Sequence, residues 1–124
     1  VEAALLKHPG SRVIILGDFN DMDNAVAAPG GTLAISGTLP LLRTTGGQGL
    51  VSVAERLPLA ERYTAWWDAN NNCLDDGGRE HSLIDHILVS PAWQITAVKA
   101  DHSYPVSCKQ RVSDHWPLLV QFAV

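Results

Sequence analysis

Val13-Ile14-Ile15-Leu16-Gly17-Asp18-Phe19-Asn20 is the stretch on which the fold turns. Four apolar residues in a row, three of them β-branched, predict a strand covered on both faces. Gly17 then lets the backbone turn, and Asp18 to Asp23 form an acidic loop. The layout recurs twice. Ser82-Leu83-Ile84-Asp85-His86-Ile87 and Ser113-Asp114-His115-Trp116-Pro117 each set an Asp, with a His beside it, next to an apolar run. Strand ends project side chains from a rigid sheet into a shared crevice, where metal and phosphate chemistry is usually built. The three Asp residues are far apart along the chain, so only a fold brings them together.

Working outward, residues 1–8 carry apolar side chains at helical spacing, and Pro9-Gly10 ends that helix. Residues 24–50 are rich in Gly, Ala, Thr and Pro and predict loop with short helical turns. Residues 51–57 read as a short helix stopped at Pro58. Tyr63-Thr64-Ala65-Trp66-Trp67 is β-prone, and the Asn/Asp/Gly-rich residues 68–80 predict a surface loop. Strands are expected at residues 83–89, 95–100 and 118–124, with a loop at 105–111. Helix and strand alternate early and strands dominate later, which predicts a mixed α/β layered fold. No repeat, low-complexity tract or interdomain linker interrupts the chain.

The 124 residues suffice for one domain with a modest core. With 46% apolar and 18% charged residues the composition is that of a globular domain, not a disordered or fibrous chain. A formal net charge of −4 argues against a protein that coats nucleic acid through a broad basic surface. It is compatible with an enzyme that brings a divalent cation to a phosphate, because the ion supplies the local positive charge. Arg43, Arg56, Arg62, Arg79 and Arg111 are scattered and define no phosphate track. No transmembrane segment is expected, since no apolar stretch approaches the length of a membrane span. Val1-Glu2-Ala3-Ala4-Leu5-Leu6 has neither an initiator Met nor the pattern of a signal peptide, and it reads as a helix already under way inside a longer chain. Cys73 and Cys108 both lie in loop-like segments. One disulfide or two free thiols fit equally, and the disulfide would imply an oxidising compartment. The acidic loops and loop cysteines lean slightly towards a secreted protein.

Hydrolysis of a phosphate ester needs a positioned water, a group to take its proton, and positive charge or donors on the phosphoryl oxygens. Carboxylates and water hold a hard cation such as Mg²⁺. Asp18, Asp85 and Asp114 supply carboxylates, Asn20 supplies an uncharged donor, and His115 supplies a proton or hydrogen bond once a carboxylate orients it. Asp18 and Asn20 are two apart, so in an extended segment they share a side and Phe19 turns away. Asp85 and His86 are adjacent and face opposite ways. Asp85 is therefore expected in the site and His86 on the far face, packed and hydrogen-bonded. Asp114 and His115 stand at a strand entrance, where a bend lets both reach the site.

The segments Ile15-Leu16-Gly17-Asp18-Phe19-Asn20-Asp21, Ser82-Leu83-Ile84-Asp85-His86-Ile87-Leu88-Val89-Ser90 and Val112-Ser113-Asp114-His115-Trp116-Pro117 resemble, in order, the last three motifs of the endonuclease/exonuclease/phosphatase superfamily. The resemblance runs from the first helix to the last strand. It implies a two-sheet β-sandwich flanked by helices, a four-layer αββα architecture. Residues 1–124 would supply about half of it, the C-terminal portion of a single domain whose N-terminal half is not in this sequence. It also implies metal-dependent hydrolysis of a phosphodiester or phosphomonoester, nuclease-like chemistry being favoured, with Mg²⁺ or Mn²⁺ as cofactor. By the same resemblance Asp18 positions or deprotonates the attacking water and Asn20 stabilises the transition state. Asp114, with Asp18, serves the metal, and His115 contacts the scissile phosphate under the orientation of Asp85. Substrates that suit these motifs are nucleic acid, inositol phosphate and phospholipid head groups.

One departure tempers the resemblance. The family's metal-binding Glu has no counterpart among Glu2, Glu55, Glu61 and Glu80, none of which sits at a comparable strand end. The isolated chain is therefore expected to be catalytically weak or inactive. Its sheet would have an exposed inner face able to take a complementing half-domain. The alternative function is a noncatalytic structural or binding piece that docks on a partner chain. Taken singly, Asp18 is as readily a turn former and His115 a structural histidine. His8, His81 and His102 read as surface or loop residues, and Trp66, Trp67, Trp93 and Trp116 as core or sheet-edge packing. Asp68, Asn70, Asn72 and Asp76 place side-chain oxygens at alternating positions and resemble a Ca²⁺ loop. Cys73 and Arg79 stand where that loop needs Gly and Glu, which favours a solvated Asn/Asp loop.

Overall fold

The computed structural model describes residues 7–8, 10–23, 26, 36–44, 49–106, 108–109 and 112–124. The helix expected over residues 1–8 falls almost wholly outside them. Among the described residues the fold is mixed α/β, with small antiparallel sheets and few helices.

The apolar run at residue 13 forms β1 (Ile14–Asp18), which continues through Gly17 to the aspartate. The turn expected at Gly17 comes instead at Asn20, whose φ of 48° is one that Asn tolerates better than most residues. β1 pairs antiparallel with β5 (Asp85–Val89) in a register that sets Asp18 opposite Asp85, Gly17 opposite His86 and Ile15 opposite Leu88. The other edge of β5 takes β2 (Val51–Ser52), giving the order β1-β5-β2. A helix was expected over residues 51–57; a two-residue strand and a 3-10 turn (Val53–Arg56) stand there, and Leu57 caps the turn before Pro58. The strand expected over residues 83–89 is likewise broken. Leu83 and Ile84 lie in no strand, and ahead of them stands a separate strand, β4 (His81–Ser82), paired with β3 (Ala65–Trp66). β6 (Ile95–Ala100) and β7 (Leu118–Phe122) form a third antiparallel pair close to their expected bounds.

α1 (Thr38–Thr44) lies in the segment expected to hold short helical turns. Pro40 is tolerated because first-turn amides have no partner within the helix. Leu39 of α1 packs with Leu50 and Leu88 under Ile15 and Phe19, which covers one face of β1 and β5. The other face of β1 is open: Leu16 is 68% exposed and Ile14 37%. Among the described residues, therefore, the expected covering of this strand on both faces is not seen. Gly49 returns the chain from α1 to β2 so closely that a Cβ there would overlap the Arg43 carbonyl.

A second core gathers Met22, Val26, Ala54, Leu57, Leu83, Ile84 and Ala100, and a third gathers Trp66, Val106 and Trp116 against Tyr63. Trp67 is the exception among the tryptophans expected to pack, with its ring largely in solvent. His81 and His102 are not solvated loop residues: they sandwich the Tyr63 ring at centroid distances of 3.9 and 3.8 Å. His8 is exposed as expected.

Candidate active site

β1, β5 and the segment leading into β7 converge at one end of the open face. The ligand atoms of Asp18, Asp85 and His115 all lie within 4.8 Å of one another. His115 Nδ1 is 2.7 Å from Asp85 Oδ2, so that carboxylate orients the ring. His115 reaches this point because its backbone bridges Ala65 of β3, and because Trp66 N donates to Asp114 O at 2.8 Å. Partial burial alone would lower the His115 pKa. The Asp85 bond, and the charges of Asp85, Asp114 and Asp18, outweigh burial and raise it above its ordinary value. The imidazole is thereby biased towards the charged form, a donor at both nitrogens.

Asp18 is exposed at the end of β1, and its Oδ1 accepts from Asn20 N at 2.9 Å. Asn20 is exposed at the same rim, whereas Phe19 turns inward and meets the His86 ring edge-on at 5.7 Å. Asp114 is exposed beside His115 but stands outside the group of three. The structure therefore brings together Asp18, Asp85 and His115, keeps Asn20 at their rim, and leaves Asp114 as a charged neighbour.

His86 occupies the far face of β5, as the alternation requires. It is 2% exposed, and its Nε2 lies 2.9 Å from Asp21 O. Burial lowers its pKa, against the pull of the neighbouring carboxylates, so it is held neutral. The acidic loop after Asp18 is not a solvated one. Asp21 and Asp23 are buried: Asp21 Oδ2 accepts from Ser36 Oγ at 2.6 Å, and Asp23 and Glu55 pair with Arg43. Their pattern among exposed-looking acidic residues hid that role. Arg43 and Arg62 are likewise taken, Arg62 by the carbonyls of Leu57, Val26 and Glu55. Of the glutamates, Glu80 is buried and accepts from Trp66 Nε1 at 3.0 Å, and no glutamate among the described residues joins the cluster.

The oxygens that resemble a Ca²⁺ loop are turned onto the loop itself, Asp76 accepting from the side-chain amides of Asn70 and Asn72 and the others from backbone. Asp68 accepts from Asn72 N and Cys73 N, Asn70 from Asn72 N, Asn72 from Leu74 N, and Asp75 from Gly77 N. The last three are Asx turns, and together with the longer reach of Asp68 they hold the loop without a Ca²⁺ site. Cys73 and Cys108, left open by the sequence, form a disulfide with their Cα atoms 5.0 Å apart. The bridge ties this loop to the segment ahead of Asp114.

A hard cation fits the oxygen donors of the cluster. Two carboxylates, Asp18 and Asp85, converge with a third, Asp114, nearby. The Endonuclease/Exonuclease/phosphatase family model matches residues 1–115, and the chain belongs to that family. Members of the family are generally hydrolases of phosphoester bonds and typically use divalent metals such as Mg²⁺. No curated protein and no solved structure matches the chain. Among the described residues no helix is long and apolar enough to cross a membrane.

Proposed function

We propose that the chain carries the acid–base half of a divalent-metal-dependent phosphoesterase, with nuclease-like phosphodiester hydrolysis as the favoured reaction. The observation that carries this reading is the 2.7 Å contact of His115 Nδ1 with Asp85 in a cluster that also holds Asp18. A cation of the Mg²⁺ type would sit on Asp18 and Asp114 and would supply charge for the phosphoryl oxygens. Asp18 takes the proton of the attacking water. Asp85 orients His115, whose Nε2 then donates to a phosphoryl oxygen as negative charge builds there. Asn20 adds an uncharged donor at the rim.

The architecture we infer is the family's pair of facing sheets flanked by helices, with this chain supplying one sheet. Its support is the open apolar face of Ile14 and Leu16 beside the cluster. An N-terminal half-domain bearing a metal-binding carboxylate would cover that face and complete the site. The disulfide supports an oxidising compartment as the place where the protein works. The substrate is a phosphate ester; nucleic acid, inositol phosphate and phospholipid head groups remain its candidate classes.

The test is Mg²⁺-dependent hydrolysis of bis-p-nitrophenyl phosphate and plasmid DNA by the chain alone and mixed with a family N-terminal half. Expected is a weak rate alone, a larger one in the mixture, and loss of both with EDTA. Each of Asp18→Ala and His115→Ala should lower the rate about 10²- to 10⁴-fold. Equal rates in wild type and both variants would end the reading.

A further inference from the structure

Thr64 stands between the segments that carry Asp85 and His115. It is wholly buried, and its N–H donates to Ser82 O at 2.9 Å. Its carbonyl accepts from Trp116 N at 2.6 Å. Its hydroxyl oxygen accepts from two consecutive amides, Asp85 N at 3.0 Å and Ile84 N at 3.3 Å. Those amides lie where the chain changes partner, leaving β4, which pairs with β3, and entering β5, which pairs with β1. One residue thus grips the backbone on either side of the Asp85–His115 contact.

We propose that Thr64 is a positioning residue for the Asp85–His115 pair. Its hydroxyl fixes the backbone from which Asp85 projects. Its carbonyl, with the adjoining Ala65–His115 bridge, fixes the backbone from which His115 projects. The distance between carboxylate and imidazole is therefore set by the two ends of one side chain and peptide rather than by the general packing of two sheets. A hydrogen bond weakens steeply with misalignment, and reactive groups need support to within about 0.5 Å. The consequence for rate rests on the phosphoesterase reading; the geometric claim does not.

The signal for this residue was faint. A threonine in a β-prone aromatic run suits a strand without further reason. Only the double acceptance by its hydroxyl, visible in three dimensions, marks it.

The experiment uses the 15N-labelled chain. In wild type, exchange of the Asp85 amide with solvent should be slowed about 100-fold or more relative to an unstructured peptide. A downfield His115 Nδ1–H resonance should report the bond to Asp85. Thr64→Ser keeps the hydroxyl and should keep both signals. Thr64→Val keeps the shape without the acceptor and should lose both. Thr64→Ala, which leaves room for a water, serves if the valine variant does not fold. Leu83→Ala, in the core beside the same break, is the control: it should lower Tm yet keep the His115 resonance. In the complemented enzyme, Thr64→Val should lower kcat about 10- to 100-fold with KM within about twofold, and Thr64→Ser should restore it.

An unprotected Asp85 amide in wild type would overturn the proposal. So would a His115 resonance that survives in Thr64→Val and Thr64→Ala, or one that disappears equally in Leu83→Ala. Resonances that follow the hydroxyl, in proteins that hydrolyse nothing, would uphold the positioning role and end the phosphoesterase reading instead.

Discussion

On one face of the β1–β5 ladder, Ile15, Leu88 and His86 turn onto α1 and the acidic loop; on the other, Leu16, Asp18 and Asp85 turn outward with His115 beside them. The two faces are built from alternate residues of the same two strands. His86 and His115 show the contrast best. Both are close to Asp85. The first is buried, bonded to a backbone carbonyl and held neutral; the second is partly open, bonded to the carboxylate and pushed towards its charged form. Residue type did not decide these fates. Position did: His86 follows Asp85 on β5 and so leaves the strand on the opposite face, whereas His115 comes to the Asp85 face from the segment ahead of β7.

Exchanging the two histidines in turn tests that contrast with the largest expected effect. His115→Ala should remove most of the hydrolytic rate, about 10²- to 10⁴-fold, with little change in Tm. His86→Ala should do the reverse. It empties a buried site and leaves Asp21 O without its donor, costing about 2–4 kcal/mol, while the folded fraction keeps its activity. Equal losses of rate and stability in both variants would show that the two faces are not separable.

The tether behind His115 is next in size. Cys73 and Cys108 are 35 residues apart, and closing a loop of that length restricts the unfolded chain by about 4 kcal/mol in the chain-entropy account. Cys73→Ser with Cys108→Ser should lower stability by up to that amount. The effect should fall on the site face, loosening the segment ahead of Asp114 more than the α1 face. Hydrogen exchange resolved by residue would check this, and uniform loosening would count against it.

The open face can be compared with the closed one directly. Leu88→Ala, at 1% exposure, should cost about 2–5 kcal/mol, whereas Leu16→Ala, at 68%, should stay within about 0.5 kcal/mol. Urea unfolding of both gives the answer. In the presence of the complementing half-domain the Leu16 variant should become the more costly of the two in binding. A Leu16→Ala that destabilises the lone chain as much as Leu88→Ala would mean that this face is already covered.

What the sequence carried, and what it did not, divides along the same line. Asp18, Asp85, His86 and Phe19 could be placed because period-two alternation in an apolar run is a local property. The meeting of Asp85 with His115 could be argued only from the resemblance, since it depends on β3 bridging the segment before β7. The break at Leu83-Ile84 was invisible: the residues are as apolar as those of β5, and only the hydroxyl of Thr64, 21 residues from Asp85, explains why the pairing changes there. The helix expected over residues 51–57 failed for a similar reason. β5 offers a free edge to Val51 and Ser52, and tertiary pairing overrides local helical preference. Burial of Asp21 and Asp23 was hidden because their partners, Ser36 and Arg43, lie 15 and 20 residues away.

Asp21 supplies the smallest effect and the sharpest use of pH. It lies under the site turn, three residues beyond Asp18, yet belongs to the packed face. Burial pushes its carboxyl up, but the Ser36 hydroxyl and the backbone N–H groups of Ser36 and Met22 outweigh burial and hold the pKa below its ordinary value of 3.8. A carboxyl lowered on folding binds fewer protons in the folded state than in the unfolded one. Its contribution is therefore present above 3.8 and lost as pH falls through the folded value. Asp21→Asn keeps one acceptor oxygen but turns an amide towards a hydroxyl that already donates to it, costing about 1 kcal/mol at neutral pH. The gap between wild type and variant should close as the pH is lowered below about 4, because the wild-type carboxyl then loses the same charge. Urea midpoints measured from pH 7 to pH 3 would show the two curves converging. Curves that stay parallel across that range would mean that the charge of Asp21 does not hold the turn from which Asp18 projects, and that the packed face supports the site by shape alone.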